Sequence, residues 1–298
     1  YAGKILVYPL ANDLLSAALK TFGLSFNLAF SFPQIIFISA FMILFYKISR
    51  FFTSEKGAAI SLLILLLGWG LGWIFFVKEF LGQDLSFWQF LKIDYTNNEL
   101  LNLRFHNILT GLILPERSLL PGLVLGLFLV LYQMDFIRGG RLRSILVSAI
   151  ILGMLPFWHT HTFIFFAVFS LICFAYYFYL NRNLWTFVRS AFLFCLISGV
   201  LAFPFFYLFM TEHVADSFIR LKLGWTDEMN NLLLFWFKNS FLIVPIALIG
   251  FFKLKNHKSI YFIPAFAVFI IANLVIFQPW AWDNINLITW SCIFFSNI

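Results

Sequence analysis

The chain has 298 residues, of which 62% are hydrophobic and 11% charged, with a mean hydropathy of +0.93 and a formal net charge of +7. A soluble domain carries about 25% charged and roughly 45–50% apolar residues, so this composition excludes a water-soluble fold and points to an integral, multi-pass membrane protein. The positive excess is concentrated in a few short connections and reads as a topology signal, not as nucleic-acid binding.

About 20 apolar residues span a hydrocarbon core of roughly 30 Å, and lipid forces each spanning backbone to satisfy its own hydrogen bonds. Helices are therefore predicted over 32–49, 58–77, 119–136, 144–158, 163–180, 187–210, 232–252 and 260–277, with a ninth beginning near Ile285. The expected fold class is all-α: one polytopic transmembrane bundle over 1–298, with about eight to nine spans and short amphipathic helices in the outer loops. The chain starts at Tyr1 and stops within an apolar run, and we expect an internal fragment of a longer protein.

Ahead of the first span, "YPLANDLLSAALKTFGLSF" sets Leu14, Leu15, Ala18, Leu19 and Phe22 at helical spacing behind an Asn12 or Asp13 cap. That is the pattern of a helix lying on a membrane surface. "DLSFWQFLKI" in the loop after the second span is another such segment. Cys173, Cys195 and Cys292 lie in apolar runs without ligand spacing, and read as small buried hydrophobes.

Basic residues then orient the bundle. Lys47, Arg50 and Lys56 flank one turn, Arg138, Arg141 and Arg143 a second, Arg182 and Arg189 a third, and Lys253, Lys255 and Lys258 a fourth. These connections alternate along the chain and contain only Glu55 and Asp135 among the acids, as the cytoplasmic side of a plasma or inner membrane requires. The opposite, non-cytoplasmic side holds His106, His159, His161, His213 and nearly all the carboxylates, and chemistry is expected there.

Three polar stretches on that side are candidate sites. In "LPFWHTHTF", the helix ending at Trp158 is short, and His159 and His161 point the same way in an extended segment but diverge on a helix. The pair reads either as interfacial loop or as a catalytic or ligand pair. A divalent metal ion, the one cofactor considered, needs further ligands from Asp283, Glu212 or His213. In "FQPWAWDN", Gln278, Trp280, Trp282, Asp283 and Asn284 form either an aromatic-belt turn or a sugar site, since sugar faces stack on aromatic rings while hydroxyls need a few placed polar groups. In "LPERSLLPG", Arg117 stands beside Glu116 at a helix start near Leu119, placed either to hold a phosphate bidentately or to meet solvent and lipid headgroups. Arg220 and Lys222 in "FIRLKLGW" are an alternative phosphate site.

This pattern of short-looped helices, an amphipathic first outer segment and polar chemistry on one side resembles the GT-C superfamily of polytopic glycosyltransferases, which includes protein O-mannosyltransferases and aminoarabinose transferases. "PLANDLLSAALKTFGLSF" and the "PERSLL" helix start carry the resemblance. The family's acidic marker after its first helix has no match here, Asp13 being the only acid before the first complete span. The resemblance implies transfer of a sugar from a polyprenyl-phosphate carrier to an outer-face acceptor whose identity stays open. It makes His159, His161 and Asp283 catalytic candidates, and Arg117, Trp280, Trp282, Asn284 and Gln278 substrate-binding candidates. The carrier and the surrounding membrane lipid are the partners expected. A lipid or glycolipid flippase, with helices broken at Pro156, Pro204, Pro245 or Pro264, is the alternative from another class. A non-catalytic membrane subunit is the third.

Overall fold

The structure is a computed structural model that describes residues 9–82, 86–90, 93, 95–98, 101–104, 107–113, 115–211, 219–224, 231–254, 258–277 and 281–297. Its helices in chain order are α1 (Ala11–Thr21), α2 (Phe26–Phe52), α3 (Glu55–Leu67), α4 (Gly72–Gly82), α5 (Phe87–Phe90), α6 (Leu119–Gly139) and α7 (Leu142–Trp158). They continue with α8 (Thr160–Asn181), α9 (Leu184–Thr211), α10 (Leu232–Ser240), α11 (Ile243–Lys253), α12 (Ile263–Leu274) and α13 (Ile285–Phe295). Two short strands, β1 (Arg220–Leu221) and β2 (Val275–Ile276), pair antiparallel with Arg220 opposite Ile276. The expected all-helical class holds.

Four helices, α2, α6, α8 and α9, are long and apolar enough to cross a membrane, and the number rises to six if each of two bent pairs is one span. The bent pairs correct the expectation of straight helices over 58–77 and 232–252: α3 and α4 meet at 69°, α10 and α11 at 89°. The breaks have local causes. Gly68 closes α3 by donating to Ile64 O, and Gly70 takes φ +76°, a conformation that L side chains disfavour. Phe241, at φ 49°, ends α10. None of the four prolines considered as breakers does this: Pro156 and Pro204 lie inside α7 and α9, while Pro245 and Pro264 sit in the first turns of α11 and α12.

Side-chain contacts fix the helix directions. Gly122, Gly126 and Gln133 of α6 face His159, Phe166 and Ser170 in turn, so α6 and α8 run parallel. Trp290 and Phe294 of α13 follow Phe165 and Phe169 of α8 in the same sense. Gly153 of α7 meets Ser198, and Phe157 meets Phe205, so α7 and α9 share the opposite direction. One end of the bundle thus gathers the starts of α2, α6, α8 and α13 with the ends of α7, α9 and α12. The other end gathers the four basic connections, with Arg138 and Lys258 both stacked on Phe51. We call these the histidine end and the basic end.

At the centre stands α13, every residue of which is buried. Eleven residues make a helix of about 17 Å, and this one is enclosed by protein. On the periphery, α2 and α9 turn Ile35, Ile43, Phe192, Val200 and Phe203 outward. Cys173 and Cys292 are buried as expected, whereas Cys195 is exposed on the outer face of α9.

The expected amphipathic segment forms α1, with a different start. Leu10 is the N-cap, so Asn12 and Asp13 lie within the first turn and are no caps. Asn12 and Ser16 are buried against the bundle while Leu14 and Phe22 face out, so the polar stripe binds protein and the apolar stripe is left for lipid. The second amphipathic segment is only the four residues of α5 among those described.

Candidate functional site

The HTHT turn combines two conformations. His159 is extended (φ −161°, ψ 103°) and is at once C-cap of α7 and N-cap of α8, while His161 already belongs to the first turn of α8. Their rings are nevertheless 5.2 Å apart. His159 is 3% exposed and its Nδ1 accepts the Thr162 backbone N–H at 3.3 Å. The Thr162 hydroxyl lies 2.8 Å from the same nitrogen, and itself accepts the indole N–H of Trp290 at 2.9 Å. Because the Thr162 backbone N–H already points at Nδ1, that nitrogen is the acceptor and the ring proton is assigned to Nε2. Burial, then the neighbouring His161, pushes the His159 pKa down, so the ring is neutral.

A metal at this turn would compete with a hydrogen bond already made. Binding at Nε2 would move the ring proton to Nδ1, where it meets the Thr162 N–H. Among the described residues, no group of three or more His, Cys, Asp or Glu side chains is placed to hold a metal ion. Glu212 and His213, considered as further ligands, lie outside the described residues, as does His106.

Carboxylates meet at the same end. Glu116 is held between two helical pieces, its N–H bonded to Leu112 O and its carbonyl to the Leu119 N–H at the start of α6. Burial first, and the Asp283 carboxylate second, push its pKa from 4.5 up to about 7. Burial likewise pushes Asp283 up. The strand pair adds cations: Arg220 lies opposite Ile276, and Lys222 N–H donates to Leu274 O, so both are carried to the segment that leads into Asp283.

The other expected residues are placed differently. Arg117 Nη1 pairs with Asp13 at 3.1 Å, Nη2 donates to Ser16 at 2.7 Å, and the guanidinium lies 3.9 Å from the Phe30 ring centre. Its carbonyl accepts Asn12 Nδ2. Arg117 is thus the strut that docks α1, with both terminal nitrogens engaged there. Asn284 is fully buried and, among the described residues, bonds to backbone at Phe277 N, Ala272 O and Val275 O, which closes the α12–α13 connection. Gln278 and Trp280 lie outside the described residues, as does the side chain of Trp282.

Sequence reasoning passed over Glu116 as a coupled carboxylate, and over Trp290 and the Gly122/Gly126 pair. A Cβ at Gly122 would stand 2.7 Å from His159 Cβ, and one at Gly126 would stand 2.3 Å from the Phe166 ring. The spacing "GLVLG" is itself the small-residue signature of close helix packing in membranes.

No family model, characterised protein or solved structure matches the chain.

Proposed function

We propose that this chain is a membrane glycosyltransferase that moves a sugar from a polyprenyl-phosphate carrier to an acceptor hydroxyl or amide on the non-cytoplasmic face. The observation that carries the reading is the Glu116–Asp283 pair at the end opposite the basic connections. A carboxyl group with a pKa near the working pH is suited to general-base catalysis. In this reading Glu116 takes the acceptor's proton, the acceptor atom bonds the anomeric carbon, and the carbon–oxygen bond to phosphate breaks with its electrons leaving on phosphate. Burial sets the basicity of Glu116, and Asp283 adds to it. Arg220 replaces Arg117 as the cation for the departing phosphate, and the His159 Nε2–H, at the same end of the bundle, is a neutral donor. The shorter helices α7, α12 and α13 and the bent pairs together complete a bundle of eight to nine membrane elements.

The test uses purified protein in nanodiscs with labelled polyprenyl-phosphate sugar and a membrane extract as acceptor source. Loss of label from the carrier, abolished by Glu116→Gln and altered in its pH dependence by Asp283→Asn, supports the reading. Equal turnover by both variants overturns it.

A flippase is the second reading, and one observation favours it. The two broken helix pairs meet at their breaks: Leu71 N–H donates to Lys238 O, Lys238 Nζ donates to Leu101 O, and buried Asn239 joins the Arg104 N–H to Asn102 O. Irregular backbone at membrane depth is tolerated where protein covers it, and transporters use it. Movement of intact labelled carrier between leaflets, without loss of sugar, is the outcome that selects this reading.

A further inference from the structure

The basic end contains a cavity of about 380 Å³ lined by Phe51, Ile137, Arg138, Tyr176, Leu180, Lys258 and Tyr261. The cavity joins four otherwise distant pieces of chain: the end of α2, the end of α6, the end of α8 and the turn at Lys258–Tyr261. Its cations are unbalanced. Elsewhere at this end Arg50 pairs with Glu55 at 3.6 Å and Arg141 with Asp135 at 2.7 Å. Among the described residues neither Arg138 nor Lys258 has a carboxylate within 4.0 Å. Both are held by other means. The Arg138 guanidinium lies 4.2 Å from the Phe51 ring centre, and Lys258 Nζ donates to Phe51 O at 2.6 Å, where it caps the last turn of α2. Lys258 Nζ also lies 5.1 Å from the same ring centre. One aromatic ring therefore positions two cations, and among the described residues no carboxylate pairs with the planar fork of Arg138.

The walls supply the second half of a ligand. Leu180 is 44% exposed and Arg138 is exposed too, so the cavity reaches the surface beside an apolar wall and a cationic one. A ligand that fits both is an amphiphile with an anionic phosphate head and hydrocarbon tails. The geometry points to a specific site for one anionic glycerophospholipid at the basic end, its phosphate on the Arg138 fork beside Lys258 and its tail along Leu180. Clustered Lys and Arg between helices recognise anionic headgroups in this way, each cation contributing about fivefold in affinity, and the Arg fork matches phosphate geometry. The site lies at the end away from Glu116 and Asp283, so it stands or falls independently of the proposed transferase activity.

The test titrates detergent-purified protein with phosphatidylglycerol, and counts retained lipid by native mass spectrometry. Phosphatidylcholine and glycerol 3-phosphate are run in parallel. One saturable phosphatidylglycerol is expected, without retention of phosphatidylcholine and without displacement by an equal concentration of glycerol 3-phosphate. Arg138→Gln is expected to weaken retention about fivefold, while Lys56→Gln, an exposed cation at the same end outside the cavity, leaves it unchanged. Leu180→Trp fills the cavity with both cations intact and is expected to reduce retention as well, which covers the case of an unstable Arg138 variant. Equal retention of phosphatidylcholine, displacement by glycerol 3-phosphate, an equal loss with Lys56→Gln, or full retention by Leu180→Trp would each overturn the site.

Discussion

The indole N–H of Trp290 donates to Thr162 Oγ1 at 2.9 Å, and that hydroxyl lies 2.8 Å from His159 Nδ1, so the central helix α13 and the polar turn share one buried hydrogen-bonded network. Trp290 is fully buried, stacked on Phe165 at a ring separation of 5.5 Å and edge-on to Phe166 at 4.6 Å. A core aromatic and a polar turn are thereby one unit. Thr162→Val keeps the shape and removes the hydroxyl, which leaves the indole N–H buried without its acceptor. The expected cost is about 1–3 kcal/mol, read as a lower unfolding midpoint in detergent. Thr162→Ser keeps the relay and should lose less than about 1 kcal/mol, the scale of one buried methyl group.

Close packing of α6 on that unit gives a second prediction. Gly126→Ala drives a methyl group into Phe166 and Trp290, two rings with no room to retreat, and Gly122→Ala drives one into His159. Each should destabilise by about 1–3 kcal/mol, Gly126 more than Gly122. Gly199, in the middle of α9, has nothing within 4 Å of an added Cβ. Gly199→Ala should therefore be neutral or stabilising by up to about 1 kcal/mol. If all three behave alike, the asymmetry between the buried and outward helix faces is wrong.

How far the sequence discloses this arrangement depends on whether a feature is local. Hydropathy and the basic connections are local, and they anticipate α2, α6, α8, α9 and the gathering of Arg138 and Lys258 at one end. Helix breaks at Gly68–Gly70 and at Phe241 are less legible, because hydropathy does not register direction and the prolines are the more conspicuous signal. Site residues are the least legible. Arg117 pairs with Asp13, more than a hundred positions earlier, and Glu116 is coupled to Asp283 much later in the chain. In both cases the residue type is visible in the sequence, whereas its partner is set by tertiary packing.

The α1 strut is tested by substituting Arg117. An ammonium cannot hold Asp13, Ser16 and the Phe30 face at once, so Arg117→Lys should raise amide exchange across Ala11–Thr21 while helices α6 to α9 keep their protection. An Arg117 that instead served a phosphate ligand would leave α1 exchange unchanged, and alter only ligand affinity.

The two ends also face opposite sides of the membrane in the proposed topology. With Cys195 replaced, because it is exposed on α9, single cysteines at Thr160 and at Lys56 should divide cleanly. An impermeant maleimide added to intact cells should label the first, while the second should react only after lysis. The reverse pattern inverts the orientation, and labelling of both from outside breaks the assignment of opposite ends to opposite faces.

Glu116 links stability and activity in opposite directions. Its folded pKa of about 7 exceeds its ordinary 4.5, chiefly through burial and then through Asp283. The folded protein thus holds this proton more tightly than the unfolded chain does. Its contribution to stability is fully present below about pH 4.5, and is lost as pH rises through about 7. A general base works in the ionised form, so sugar transfer should instead increase with pH around a midpoint near 7. Glu116→Gln holds the neutral shape at every pH. It should abolish transfer and flatten the stability profile over that window. Asp283→Asn removes a nearby negative charge, which should move the Glu116 midpoint downward while leaving its burial in place. A transfer midpoint that does not move in Asp283→Asn would uncouple the two carboxylates and leave Glu116 titrating by burial alone.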